Sequence, residues 1–140
     1  MRDKLAAQFP GHGVWDIKFA AGGLVDIEFI AQTLQLCHAA RDAIVLDQNT
    51  IAALERLAAA GALPPEMAAT LVHAARLEHG LTHVLRIAVT GAFRSESATR
   101  GLKALLARAG DAPDFSAVET QLAETEAQVR AIFDQMLPPA

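Results

Sequence analysis

Pro64-Pro65-Glu66-Met67-Ala68-Ala69-Thr70-Leu71-Val72-His73-Ala74-Ala75-Arg76-Leu77-Glu78-His79-Gly80-Leu81-Thr82-His83-Val84-Leu85-Arg86-Ile87-Ala88 decides the fold, because it reads as one long helix. Proline suits a first helical turn, where its missing N–H has no intrahelical partner to lose. Met67, Leu71, Ala74, Glu78, Leu81, Leu85 and Ala88 then recur at steps of four and three, a single stripe of a 3.6-residue repeat. Glu78 interrupts that apolar seam.

The same period extends outward on both sides. Upstream, Asn49 or Thr50 is placed to cap a helix through Ile51, Leu54, Leu57 and Ala58, which Gly61 ends. Gly22-Gly23 precedes a further helix from about Leu24 to Ala40, with Leu24, Ile27, Ala31 and Leu34 on one stripe, widened by Phe29, Ile30 and Leu36. Downstream, Ser95 or Ser97 is a candidate cap for a short helix with Leu102, Leu105 and Leu106 on its apolar face and Gly110 at its end. Ser116-Ala117-Val118-Glu119 has the form of a capping box for the last helix, along which Val118, Leu122, Thr125, Val129, Ile132 and Met136 repeat. Only Val14 to Phe19 alternates like a strand, with Val14, Asp16 and Lys18 on one side and Trp15, Ile17 and Phe19 on the other. The expected fold is all-α: an antiparallel bundle of about five helices behind a short extended N-terminal segment.

Composition agrees with one core-forming domain. The 140 residues are 52% hydrophobic and 20% charged, and a chain of that length buries enough surface to fold without disulfides or a structural metal. Cys37 is the single cysteine, so neither a disulfide nor a CxxC zinc pair can be written; it is expected as a buried thiol in a reducing, cytoplasmic setting. Sixteen acids against twelve Lys and Arg give a net charge of −4, which argues against electrostatic capture of nucleic acid. No apolar run is long enough to span a membrane, and Met1 to Phe9, carrying Arg2, Asp3 and Lys4, lacks the pattern of a signal or transit peptide.

Few residues present themselves for chemistry. Gly11-His12-Gly13 lacks the third glycine, the preceding strand and the downstream acid of a dinucleotide loop, and reads as a flexible turn. Cys37 and His38 are adjacent, so on a helix they do not face each other as a nucleophile and base would. His79 and His83 stand four apart on one helical face, with His73 about two turns earlier, the spacing of a metal-binding helix; the Glu-x-x-His pairs such a bundle needs from facing helices are missing. Asp26 and Glu28, two apart, diverge by about 200° on a helix and cannot chelate one ion together. Asp26 is placed to complement a helix N-terminus, while Glu28, Gln32 and Gln35 form a polar stripe. Lys18, Gly22, Gly23 and Asp26 bring a cation, two glycines with exposed backbone and a helix start into one short segment, which suits a phosphate or the charges of a neighbouring domain.

Asp16-Ile17-Lys18, Gly22-Gly23-Leu24-Val25-Asp26-Ile27-Glu28-Phe29 and Gln32 closely resemble the D-[LI]-K-x3-G-G-[LI]-x-D-I-E-F-x2-Q signature of bacterial glutamine synthetase adenylyltransferases. Asn49-Thr50, Ala53-Leu54, Leu57 and Gly61-Ala62-Leu63 are similar to that family's next helix, and Arg76 with Glu78-His79 to its basic Glu-His segment, although Gly80 and Thr82 depart from it. The resemblance implies the C-terminal helical domain of the enzyme, and Asp26 the adenylylating half. Residues 1–23 are then an N-terminal turn and Gly-Gly connector from a missing nucleotidyltransferase domain, and 24–140 the bundle. The family's catalytic Gly-Ser and Asp-x-Asp carboxylates have no counterpart in this chain. The implied parent transfers AMP from ATP to a tyrosine of glutamine synthetase, and reverses it, using magnesium under PII-type signal proteins in nitrogen regulation. On this resemblance Lys18, Gly22, Gly23, Asp26 and Glu28 lie at an interface or near the nucleotide; the fragment itself holds no cofactor and is inactive alone. Two other readings compete: a stand-alone helical interaction module, distinguished by lack of nucleotide dependence, and a histidine-bearing metal bundle, distinguished by bound metal.

Overall fold

A computed structural model of the chain describes residues 13–38, 49–88, 93 and 98–137. Among them are the helices α1 (Leu24–His38), α2 (Thr50–Ala59), α3 (Pro65–Ala88), α4 (Arg100–Ala109) and α5 (Phe115–Met136), and no strand. The all-α expectation holds, and no helix among these residues is long and apolar enough to cross a membrane.

Local chemistry sets most helix ends. Asn49 caps α2, its side chain accepting from the amides of Ile51 at 3.0 Å and Ala52 at 3.1 Å. Past α2, Gly61 takes φ +80, and the amides of Gly61 and Ala62 return to the carbonyls of Ala58 and Leu57, closing a Schellman motif. Two expected caps differ. Thr99 rather than Ser95 or Ser97 caps α4, accepting from the Leu102 amide at 3.1 Å; both serines lie outside the described residues. Asp114 rather than Ser116 caps α5, accepting from the Ala117 amide at 2.8 Å. An aspartate two residues earlier accepts from the orphan Ala117 amide, and the helix starts there instead.

The segment expected to be extended is coiled into turns. The amides of Phe19 and Ala20 both return to the Asp16 carbonyl, at 3.0 and 2.8 Å, and those of Leu24 and Val25 to Ile17 and Lys18. Its backbone groups are thus satisfied locally, and no strand among the described residues is available to pair with it. Ile17 is buried as its pattern suggests, whereas Phe19 is 36% exposed.

The core falls into two apolar clusters. One contains Ile27, Ile30 and Leu34 of α1, Leu54 and Leu57 of α2, Leu71 and Ala75 of α3, and Val129 and Phe133 of α5. The other contains Ile17, Leu24, Leu77 and Leu81 of α3, Leu106 of α4, and Val118 and Leu122 of α5. Hence α3 runs from the first cluster into the second, while α1 and α5 run the opposite way. Helix α3 packs against all four others. Three positions expected inside are outside: Leu36 and Cys37 are exposed at the end of α1, and Leu105 is exposed on α4. The last turn of α1 lies past Leu34, the final α1 residue of its cluster, and its apolar residues join neither cluster among the described residues.

Candidate functional site: the glycine turn and the carboxylates beneath it

The signature segment forms a corner where the incoming turn becomes α1. Lys18 and Glu28 are exposed on it, and the Lys18 ammonium lies 5.4 Å from the Phe19 ring centroid. Gly22 and Gly23, expected to expose their backbone, are buried. Gly22 adopts φ +84, and a Cβ there would collide with the backbone carbonyl of Glu126 on α5. A Cβ on Gly23 would collide with the Ile17 carbonyl and stand 2.9 Å from that of Ala20. These glycines serve close backbone approach: the turn lies directly on α5.

Asp26, with no solvent exposure, fixes this arrangement from below. Its Oδ2 accepts the Gly22 N–H at 2.6 Å and lies 3.6 Å from Nη1 of Arg130 on α5. Arg130 also reaches Asp134 at 3.2 Å and stacks over Phe133 at 4.6 Å. Asp26 thus ties the turn, the first turn of α1 and α5 to one another. On the far side of the corner, Trp15 Nε1 donates to Glu119 at 2.8 Å and its ring stacks on Phe115 at 5.4 Å.

Two further carboxyls lie in the same buried layer. Glu78 of α3 is fully buried and Glu126 of α5 is 3% exposed. Neither oxygen of Glu78, nor Oε2 of Glu126, nor the Thr82 hydroxyl has a hydrogen-bond partner among the described residues. Burial, with the charges of Glu126 and then Asp26 adding to it, pushes Glu78 up to about 9. Burial raises Glu126 to about 8. Both are neutral acids at pH 7. Asp26, between Leu24 and Ile27, and Glu126, between Leu122 and Val129, stand where one apolar cluster gives way to the other, whereas Glu78 lies between Leu77 and Leu81 of the second cluster.

These residues do not suit a magnesium ion. Two of the acids are protonated at neutral pH, the third is engaged by Arg130 and Gly22, and among the described residues no three His, Cys, Asp or Glu gather to hold a metal. His73, His79 and His83 are exposed along α3 and belong to no such group. The three acids are buried rather than presented on the surface. A separate groove of about 520 Å³ between α4 and the start of α5, lined by Arg100, Lys103, Arg108, Asp111 and Asp114, contains none of the signature residues.

Sequence reasoning singled out Lys18, Gly22, Gly23, Asp26 and Glu28, and the fold places all five on or under one corner. It passed over Glu126 and Arg130. Their signal was present: Glu126 is four residues after Leu122 on the apolar stripe of α5, and Arg130 follows by four more.

The family described as GlnD PII-uridylyltransferase matches residues 1–137. The chain is 47% identical over 137 residues to a bifunctional glutamine synthetase adenylyltransferase/adenylyl-removing enzyme from a Bradyrhizobium strain, which covers 98% of this chain and 14% of that protein. It is 49% identical over 132 residues to the protein of that description from Rhodopseudomonas palustris, covering 94% of this chain and 13% of the relative. The Xanthobacter autotrophicus protein of that description is 44% identical over 140 residues, all of this chain and 14% of the relative. The chain therefore spans only a small part of the relatives it matches, and a match over nearly all its length, including the glycine turn and the carboxylates below it, means that it belongs to the GlnD PII-uridylyltransferase family.

Proposed function

We propose that this chain is the helical domain that positions or completes the adenylylation site of an enzyme transferring AMP from ATP to a tyrosine of glutamine synthetase, and removing it again. The observation that carries the reading is the corner. Exposed Lys18, Phe19 and Glu28 stand on a turn locked to α5 through Gly22, Asp26 and Arg130, a rigid platform for a neighbouring domain. The bifunctional relatives supply the reaction class. On this reading residues 1–23 connect to an upstream nucleotidyltransferase domain and 24–140 are the bundle. ATP and magnesium bind in that upstream domain, the buried acids among the described residues being a poor donor set. Lys18 meets a phosphate, Asp26 holds Arg130, and Glu28 faces basic groups across the interface. Glutamine synthetase and a PII-type signal protein are the partners, and the cytoplasm the location.

The test is labelled-AMP transfer to glutamine synthetase by the intact parent enzyme. Lys18→Glu is expected to lower transfer by about tenfold, the scale of a lost charged contact of 1–2 kcal/mol. Transfer equal to that of the unaltered enzyme removes the role of Lys18. If the upstream segment alone transfers AMP as fast as the intact enzyme, the chain is an interaction module instead.

A further inference from the structure

We propose that Asp26, Glu78 and Glu126 form a proton-held latch: the glycine turn stays seated on α5 only while Glu78 and Glu126 keep their protons, and losing them to solvent releases the corner that carries Lys18 and Phe19. The argument begins with where the carboxyls come from. One stands on α1, one on α3 and one on α5, all buried, and close enough that Glu78 feels the charges of both Glu126 and Asp26. Arg130 is the cation that reaches this layer among the described residues, and it is already shared between Asp26 and Asp134. The other charged groups described on the surrounding elements are exposed, apart from half-buried Lys103 on α4, Asp16 and Glu119: Glu28 on α1, Glu55 and Arg56 on α2, Glu66, His73, Arg76, His79, His83 and Arg86 on α3, Arg100 and Arg108 on α4, Glu124 and Asp134 on α5, and Lys18 on the turn. Asp16 is on the same turn, and Glu119 on α5 accepts from Trp15. Neither oxygen of Glu78 nor Oε2 of Glu126 has a partner among the described residues, so a negative charge on either carboxyl is buried there without compensation.

The layer is joined mechanically to the corner. Gly22 rests on the backbone of Glu126 itself, and its amide donates to Asp26. Ionising Glu126 or Glu78 places a second buried negative charge beside Asp26; the groups separate and take up water, and the segment of α5 under Gly22 moves with them. The Gly22 amide then loses its acceptor and its cover together.

The test is hydrogen exchange at the Gly22 amide of the 140-residue chain, expressed at each pH relative to the rate of an unstructured amide, so that base catalysis cancels. From pH 6.5 to 9.5 protection is expected to fall by tenfold or more in the unaltered chain, and to fall far less in Glu78→Gln, which cannot ionise. Constant protection in the unaltered chain overturns the latch, and so does an equal fall in Glu78→Gln and Glu126→Gln. If the variants do not fold, side-chain carboxyl chemical shifts of the unaltered chain decide. Titration of two glutamates together with the loss of Gly22 protection supports the latch, and titration of every glutamate in the ordinary acid range overturns it.

Discussion

Gly22 and Gly61 share a left-handed backbone, at φ +84 and +80, yet they are held to it for different reasons. Around Gly61 a Cβ meets open space, so Gly61→Ala carries only the left-handed penalty, about 1 kcal/mol. At Gly22 the same penalty is joined by collision with the Glu126 backbone, which has no flexible side chain to move aside. Gly22→Ala is therefore expected to cost about 3 kcal/mol or more. Urea unfolding of the two variants checks the ordering, and equal losses would mean that the turn does not rest on α5. Of these two glycines, Gly61 was legible in sequence because a helix stop is a local matter. The reason for Gly22 was not, since its constraint comes from a residue 104 positions later.

Capping separates the sequence pattern from the contact actually made. Asn49→Ala is expected to destabilise α2 by about 1 kcal/mol, because its side chain serves two amides. At α5 the expectation inverts the sequence reading: Asp114→Ala costs a similar amount, while Ser116→Ala, inside the helix and exposed, shifts the unfolding midpoint by less than about 0.5 kcal/mol. Asp111, after α4, holds a left-handed φ of 54 in a Schellman geometry, with the amides of Asp111 and Ala112 returning to Arg108 and Ala107. Asp111→Gly is expected to stabilise the chain by about 0.5–1 kcal/mol, read as a higher urea midpoint. Helix positions were readable because their period is local. The choice among neighbouring polar residues as cap was not, because several suitable oxygens stand within three residues of the same amides.

Across the whole molecule the buried acids dictate the response to pH. In the unfolded chain Glu78 and Glu126 ionise near 4.5, but folded they hold their protons to about 9 and about 8. Between those limits the folded state binds more protons than the unfolded state, so stability falls as pH rises. This contribution is fully present below about 4.5 and exhausted above about 9. Urea midpoints measured from pH 6 to 9 are expected to decline by a free energy of about 2 kcal/mol per pH unit, since two carboxyls differ in protonation between the folded and unfolded chain. Glu78→Gln, neutral throughout, is expected to flatten that decline and to gain stability at pH 8.5. A profile that is level over this range would mean that water or a counter-ion reaches the layer. The bundle resists mild acid better than mild base, contrary to domains held together by salt-bridged carboxylates.

Sequence alone determined the all-α fold, the five helices among the described residues, and the grouping of Lys18, Gly22, Gly23, Asp26 and Glu28 in one segment. Hydrophobic period, proline at a helix start and glycine at a helix stop act within a few residues, and resemblance to a signature acts along a contiguous stretch. Tertiary structure alone decided that the Val14–Phe19 stretch coils, that Cys37 and Leu36 face outward, and that Asp26, Glu78 and Glu126 share one layer with Arg130. The reason is distance along the chain. An acid on an apolar stripe can be seen in sequence, but its protonation depends on which other acids and cations the packed helices bring beside it, and these come from three different helices.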